Sequence, residues 1–359
     1  MARKLTLDRW LAGAVLLLTC FGLMMVFSAS AMVSARDSGS FGGFLAKQAL
    51  ASVLGLGLLF GATRFDYTRL RHPAVLWGLL AVCLALLIVV LAGGSQRWIR
   101  IAGFSFQPSE LAKLAIILFL ADALDRKKDR LGDLRGFVAP CLGLVGLFLA
   151  LIYVQPDFGT TATLAIITFC LFFIAGMPWR LIGGMTLVGG LGLALLATRA
   201  DYRWRRLVAF LNPAADPQGQ NFQMNQSLIA IGSGGASGVG LGESSQKLFF
   251  LPAAHTDFIF SVIGEELGFI GCLLVIAAFL VILWRGTRVA LRAPDAFGAY
   301  LAAGITLSIV LQAFINMGVT VGLLPTKGLP LPFVSYGGSS LLMSLAAAGV
   351  ALNVSQHSG

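Results

Sequence analysis

LPAAHTDFIFSVIGEELG, residues 251–268, leads into an apolar run that continues to Trp284, yet it sets His255, Asp257, Glu265 and Glu266 at the near edge of that run. The run 258–284 can cross about 30 Å of hydrocarbon at about 1.5 Å per residue. Ionisable side chains are costly in lipid, so the stretch reads as a membrane helix facing a polar cavity. Nine further runs of this kind occupy 10–32, 44–62, 74–92, 109–124, 136–153, 160–176, 181–198, 297–323 and 334–354. The whole chain agrees: 359 residues, 57% hydrophobic, 12% charged, with a mean hydropathy of +0.86, far from a soluble globular composition. The expected fold is an all-α polytopic membrane protein of about ten transmembrane helices, a single transmembrane domain over 1–359.

The first run follows Arg3, Lys4 and Arg9 and contains Ala29-Ser30-Ala31, which resembles a signal peptide and its cleavage site. It is longer than the usual apolar region of about 7 to 15 residues and is retained as a helix. All five cysteines fall inside the runs without a CxxC spacing, as packing residues do, and no metal-ligand set is read from them. The net charge of +10 is spread over loops instead of forming one patch, which argues against nucleic acid as a partner. With the N-terminus inside, more than half of the 26 basic residues fall in cytoplasmic loops. Both termini are therefore expected in the cytoplasm.

Residues 199–257 form one loop far longer than the others, which marks it as functional and, on this topology, extracytoplasmic. Its start, RADYRWRRLVAF, interleaves arginines with aromatics and suits a short helix at headgroup level, so Arg203, Arg205 and Arg206 are candidates for lipid phosphates. Its middle, IGSGGASGVGLGESS, is glycine-rich, but no strand precedes it and no βαβ unit contains it, so it is not a dinucleotide loop. Glycines there allow backbone to approach other backbone or a substrate. No internal or inverted repeat is visible, which weakens a transporter reading.

Four clusters could carry chemistry, all on the outer side under this topology. In GGSQRWIRIAGFSFQPSELAKL, residues 93–114, Pro108 and Ser109 start a helix and Glu110 sits in its first turn, where the helix dipole favours a carboxylate. Lys113 is one turn deeper on the same face and needs Glu110 as its partner. Arg97 and Trp98 suit a phosphate and a sugar ring. In YVQPDFGT, residues 153–160, Asp157 is either a turn or cap residue or a support to the first cluster. In the opening stretch Thr256 and Asp257 both suit a helix N-cap; with Thr256 sufficient, Asp257 is free to accept a proton from a hydroxyl. His255 stands beside them, and Glu265 with Glu266, deeper, must be neutralised, hydrogen-bonded or paired, with Lys113 as one partner. In LLPTKGLPLPFVSYGGSS, residues 323–340, irregular backbone at membrane depth implies a cavity lined by protein, with Lys327 and Ser335 as candidate contacts.

With these motifs assembled, the chain resembles the SEDS family (shape, elongation, division and sporulation), the FtsW, RodA and SpoVE group. The resemblance rests on QRW at 96–98, FQPSELAKL at 106–114, QPDFGT at 155–160, QSLIAIGSGG at 226–235, LPAAHTDFIFSVIGEELG at 251–268 and LPTKGLPLPFVSYGGSS at 324–340, in order across nearly the whole chain. It implies an inverting peptidoglycan glycosyltransferase. Such an enzyme polymerises lipid II, an undecaprenyl-pyrophosphate-linked disaccharide-pentapeptide, into β-1,4-linked glycan at the outer face of the bacterial cytoplasmic membrane. It also implies Asp257 as catalytic base, and Arg97, Lys113, the arginines at 203–206 and a divalent ion, magnesium or manganese, as candidates to stabilise the leaving group. The spelling of LGESSQKLFFLP and PTKGLPLPFVSYGGSS leans to the division type. The implied partners are a class B penicillin-binding protein and other division or elongation machinery. Two competing readings are a lipid II flippase and a non-catalytic scaffold. Ionisable residues confined to one side speak against the first, and the cost of Lys113, Glu265 and Glu266 within spans speaks against the second.

Overall fold

A computed structural model describes residues 7–38, 41–94, 97–101, 104–198, 221–245 and 251–358, with 204, 206, 208 and 210 between them. Helices stand at each of the ten expected positions: α1 Arg9–Ser38, α2 Gly43–Arg64, α3 Pro73–Ala92, α4 Pro108–Arg126, α5 Ala139–Val154, α6 Phe158–Ile174 and α7 Trp179–Thr198, then α9 Ile259–Leu291, α10 Ala296–Thr320 and α11 Gly338–Ser355. Among the described residues seven are long and apolar enough to cross a membrane: α1, α2, α3, α9, α10, α11, and α5 together with the turn that precedes it. The apolar α6 is shorter, and α4 carries Glu110, Lys113 and Asp122 buried along its length. The five cysteines are free.

Local chemistry sets the helix starts. Pro73 and Pro108 stand in the first turns of α3 and α4, where a missing N–H costs nothing. Asp157 and Asp295 cap α6 and α10 by accepting from Thr160 N and Gly298 N. The bundle centres on α4, α10 and α11. Of the spanning helices α11 is the most enclosed, 83% of its residues being buried, and it lies along α2 while α10 fits between α4 and α9. Gln48 on α2 donates to Ser335 O, and Asn353 on α11 both accepts from Tyr67 N and donates to Thr63 O. Asp8 meets Ser355 and Arg285, so the two described chain ends and the basic turns lie at one end of the bundle. The four polar clusters lie at the other.

Three features depart from the expected all-helical pattern with one open loop. Ile99–Ile101 and Phe104–Phe106 pair as a short antiparallel hairpin, β1 and β2, between α3 and α4. Inside the long loop, Phe222–Gly234 forms α8, which packs on α9; Ser227 Oγ bonds Ser261 Oγ and donates to Thr320 O. Finally, α9 breaks at Gly268 (φ 66°, ψ −162°), and the glycine-rich loop plugs the break. Glu265 O and Glu266 O accept from Val239 N and Gly240 N, while Phe269 N and Ile270 N donate to Gly235 O and Ala236 O. Four backbone groups beside the kink are thus satisfied, as the membrane interior requires. A β-carbon at Gly238 or Gly268 would overlap the opposing backbone, so these glycines serve backbone-to-backbone approach.

Candidate active site

Asp257 stands in the turn just before α9, half-buried. Its backbone is fixed from two sides: its N donates to Ala253 O (3.1 Å), where Ala253 holds a left-handed φ of 57°, and its carbonyl accepts from Asn316 Nδ2 (2.8 Å). The carboxylate, by contrast, accepts no hydrogen bond from any described residue. It faces the loop before α11, where a β-carbon at Gly328 would lie 2.9 Å from Asp257 Oδ2, so only glycine lets this loop come so close. Burial pushes the Asp257 carboxyl up to about 6; the Arg97 and Arg206 guanidinium groups pull the other way, and Asp157 adds to the rise.

Two of the cations around it donate to backbone carbonyls and the third rests on an aromatic ring. Arg97, at the start of the hairpin, donates to Gln155 O (3.3 Å) and Pro156 O. Arg206 donates to Thr326 O (3.1 Å). Lys327 rests over the Phe158 ring, 4.2 Å from its centroid, and burial pushes its ammonium down to about 8. Trp98 is 37% exposed at the rim. Arg203 and Arg205 lie outside the described residues.

Several sequence expectations receive a different geometry. Neither Thr256 nor Asp257 caps α9: Phe258 occupies the cap position, no side chain bonds there, and Thr256 Oγ1 donates to Ala253 O. Lys113 does pair with Glu110 (2.9 Å), but its second partner is Gln312 Oε1 on α10 (2.6 Å), not Glu265 or Glu266. Glu265 accepts from Ser244 Oγ, Ser245 N (2.9 Å) and Ser245 Oγ (3.0 Å), which ties the glycine loop to α9; Glu266 accepts from Ser28 on α1. Neither shares a hydrogen-bond partner with Asp257 among the bonds between described residues. Asp157 caps α6 and also accepts from Gln107 Nε2 (2.8 Å) and Ser109 Oγ (3.2 Å), binding the starts of α4 and α6 together. Ser335 is a strut within the loop, donating to Thr256 O (2.5 Å) and accepting from Leu331 N. The His255 ring packs at a tilt against Phe44 and Tyr336, with ring centroids 5.0 and 5.7 Å away.

Sequence reasoning missed Gln312 and Asn316, one turn apart on α10. Gln312 Nε2 donates to Pro330 O (2.9 Å) and Asn316 Nδ2 donates to Leu329 O (2.7 Å) as well as to Asp257 O. The buried Glu110–Lys113 pair therefore acts through Gln312 on the loop that abuts Asp257. Two amides four residues apart in an apolar run were the available signal. Among the described residues no three His, Cys, Asp or Glu side chains gather to hold a metal ion.

The sequence profile of the FtsW/RodA/SpoVE group, described as a cell cycle protein, matches residues 9–359. The chain belongs to this family. It is 47% identical to a probable peptidoglycan glycosyltransferase FtsW of Geobacter metallireducens, over 94% of this chain and 92% of that one. It is 42% identical to the stage V sporulation protein E of Bacillus subtilis, over 99% of each. Among solved structures it is similar to a chain of a peptidoglycan synthase complex described as coordinating polymerization and crosslinking (TM-score 0.77, 32% identity, 98% of each chain). The rod shape determining protein RodA of Thermus thermophilus also matches (TM-score 0.70, 30% identity, 98% of this chain and 97% of that). With its spanning helices, it is a multi-pass membrane protein.

Proposed function

We propose that this chain is a division-type peptidoglycan glycosyltransferase that polymerises lipid II, with Asp257 as general base. The observation that carries the reading is a half-buried carboxylate that accepts no hydrogen bond from any described residue, with its basicity raised by burial, in a site that also gathers Arg97, Arg206 and Lys327. Asp257 takes the proton from the 4-hydroxyl of the acceptor sugar as that oxygen attacks the anomeric carbon of the donor. The bond to the undecaprenyl pyrophosphate breaks as the new glycosidic bond forms, and attack opposite an α-linked pyrophosphate gives a β-linkage in one displacement. The departing pyrophosphate already carries charge, so it needs cations more than an acid; Arg97, Arg206 and Lys327 are suited to hold it. Lys113, committed to Glu110 and Gln312, supports the loop instead. A divalent ion, where required, would add charge stabilisation on the pyrophosphate.

The basic end of the bundle is assigned to the cytoplasm and the site to the outer face of the bacterial cytoplasmic membrane, on the loop-charge rule. The division-type reading is supported by the 47% identity to a protein named FtsW. A crosslinking partner, a class B penicillin-binding protein, is supported by the likeness to a chain of a synthase complex that coordinates polymerization and crosslinking. Purified protein, with that partner supplied and crosslinking blocked, is expected to build long glycan from labelled lipid II, and Asp257→Asn to build none. Equal glycan from both would remove Asp257 from catalysis. No glycan from either, together with lipid II translocation in liposomes, would replace the transferase with a flippase.

A further inference from the structure

At the end of the bundle away from Asp257, α1 and α9 leave between them an apolar groove of about 520 Å³ lined by Gly13, Leu17, Phe21, Leu267, Gly271 and Ala278. Small residues on both helices hold it open, and nothing in the fold fills the space a β-carbon would take at Gly13. Along α1 it runs from Arg9 to Phe21, about 18 Å, which exceeds one leaflet's share of a hydrocarbon layer about 30 Å thick. At the level of Arg9 and Trp10 the groove meets a second, polar cavity of about 280 Å³, to which Arg285, Arg288 and Arg292 also contribute. The two cavities share Arg9 and Trp10 and so form one site with an apolar shaft and a basic head.

The charges in the head are unbalanced. Asp8 is its one acid among the described residues, and that carboxylate is fully occupied: Arg285 holds it through two nitrogens (2.6 and 2.9 Å), and it accepts from Trp10 N and Leu11 N as the cap of α1. Arg9, Arg288 and Arg292 have no carboxylate partner among the described residues. Arg288 lies over the Trp284 ring, an indole at the depth where headgroups meet acyl chains. A bare phosphate would satisfy the arginines and leave the shaft empty; an apolar helix would fill the shaft and leave the arginines unmatched.

We propose that this composite cavity is a binding site for an anionic phospholipid, its phosphate among Arg9, Arg288 and Arg292 and an acyl chain between α1 and α9. The site is separate from the polar clusters around Asp257 and tethers the N-terminal helix to the helix that follows the proposed base.

The full chain, purified in mild detergent, would be titrated with phosphatidylglycerol, with phosphatidylcholine and with inorganic phosphate, and bound lipid counted by native mass spectrometry. Phosphatidylglycerol is expected to bind at least about tenfold more tightly than phosphatidylcholine, and this preference to vanish in the double variant Arg288→Gln, Arg292→Gln. The pair Arg288→Lys, Arg292→Lys should keep it, which separates lost charge from lost fold. Ala278→Phe, which fills the shaft, should weaken both lipids. Three results would overturn the site: an unchanged preference in the Gln pair, displacement of phosphatidylglycerol by inorganic phosphate, or its displacement by the membrane helix of a transpeptidase partner.

Discussion

Eight residues separate Asp257 from Glu265, yet the two carboxylates live in opposite conditions. Glu265 is 2% exposed and accepts from two hydroxyls and a backbone N–H, and Glu266 beside it, fully buried, accepts from Ser28. Asp257 is more accessible and receives nothing from any described residue, while its backbone is pinned at both N–H and C=O. Burial alone would have ranked the two glutamates above the aspartate as candidates for chemistry. Saturation reverses that order: a carboxylate whose lone pairs are all engaged is a strut, and one held by its backbone with its oxygens free is available to a substrate.

The sharpest attempt to break this contrast is Asp257→Asn. A general base accounts for about 10²- to 10⁴-fold in rate, so polymerisation should fall by that much. Thermal stability should move the other way. Because the folded pKa is raised to about 6, ionising Asp257 opposes folding at neutral pH, and that cost fades as pH drops through about 6 toward the unfolded value. The amide removes the cost, so the melting temperature at pH 7.5 should hold or rise. A fall would mean that the carboxylate is a strut after all.

Gly328→Ala tests the loop that faces it. The added methyl would sit 2.9 Å from Oδ2, closer than ordinary van der Waals contact, so the carboxylate or the loop must shift. Displacement of a catalytic group by about 1 Å costs on the order of 10²-fold, and the expected loss is about tenfold to a hundredfold in kcat with little change in melting temperature. Unaltered turnover would show that the loop does not position the base.

The pH profile of polymerisation should show two limbs of about tenfold per unit. Rate is expected to fall below pH 6 as Asp257 takes up a proton, and above pH 8 as Lys327 loses one and ceases to hold pyrophosphate. Lys327→Arg keeps its charge and should remove the alkaline limb while leaving the acid limb in place. Persistence of the alkaline limb in that variant would assign it to another group.

Much of the architecture was legible because membrane helices announce themselves locally: a long apolar run suffices for each, and proline or aspartate marks several starts. The Glu110–Lys113 pair was legible for the same reason, both residues lying on one helix face. What escaped depends on contacts distant in sequence. Gln312 lies 199 residues from Lys113, and no local pattern brings the two together. The kink at Gly268 and the loop that plugs it are each unremarkable alone; only the exchange of four backbone hydrogen bonds between 235–240 and 265–270 explains both. Helix α8 was hidden by its modest apolarity, and the hairpin by its three-residue strands.

Glu265→Gln probes the other side of the comparison and should have the smallest effect on rate. The amide keeps one acceptor oxygen but turns two donor hydrogens toward Ser244 and Ser245, which are themselves donors to the native carboxylate. At least one of those groups loses its partner, at a cost of about 1–3 kcal/mol in stability. The damage should stay local: the glycine loop would loosen where it plugs the kink, raising amide exchange at Val239 and Gly240, whose bonds to Glu265 O and Glu266 O depend on that tether. Asp257 is held by Ala253 and Asn316 and faced by the 328–330 loop, whereas the Glu265 carboxylate bonds Ser244 and Ser245, so turnover per folded molecule should remain within about twofold of wild type. A catalytic defect as large as that of Asp257→Asn would show that saturation does not separate struts from bases here, and that the kinked half of α9 takes part in the chemistry.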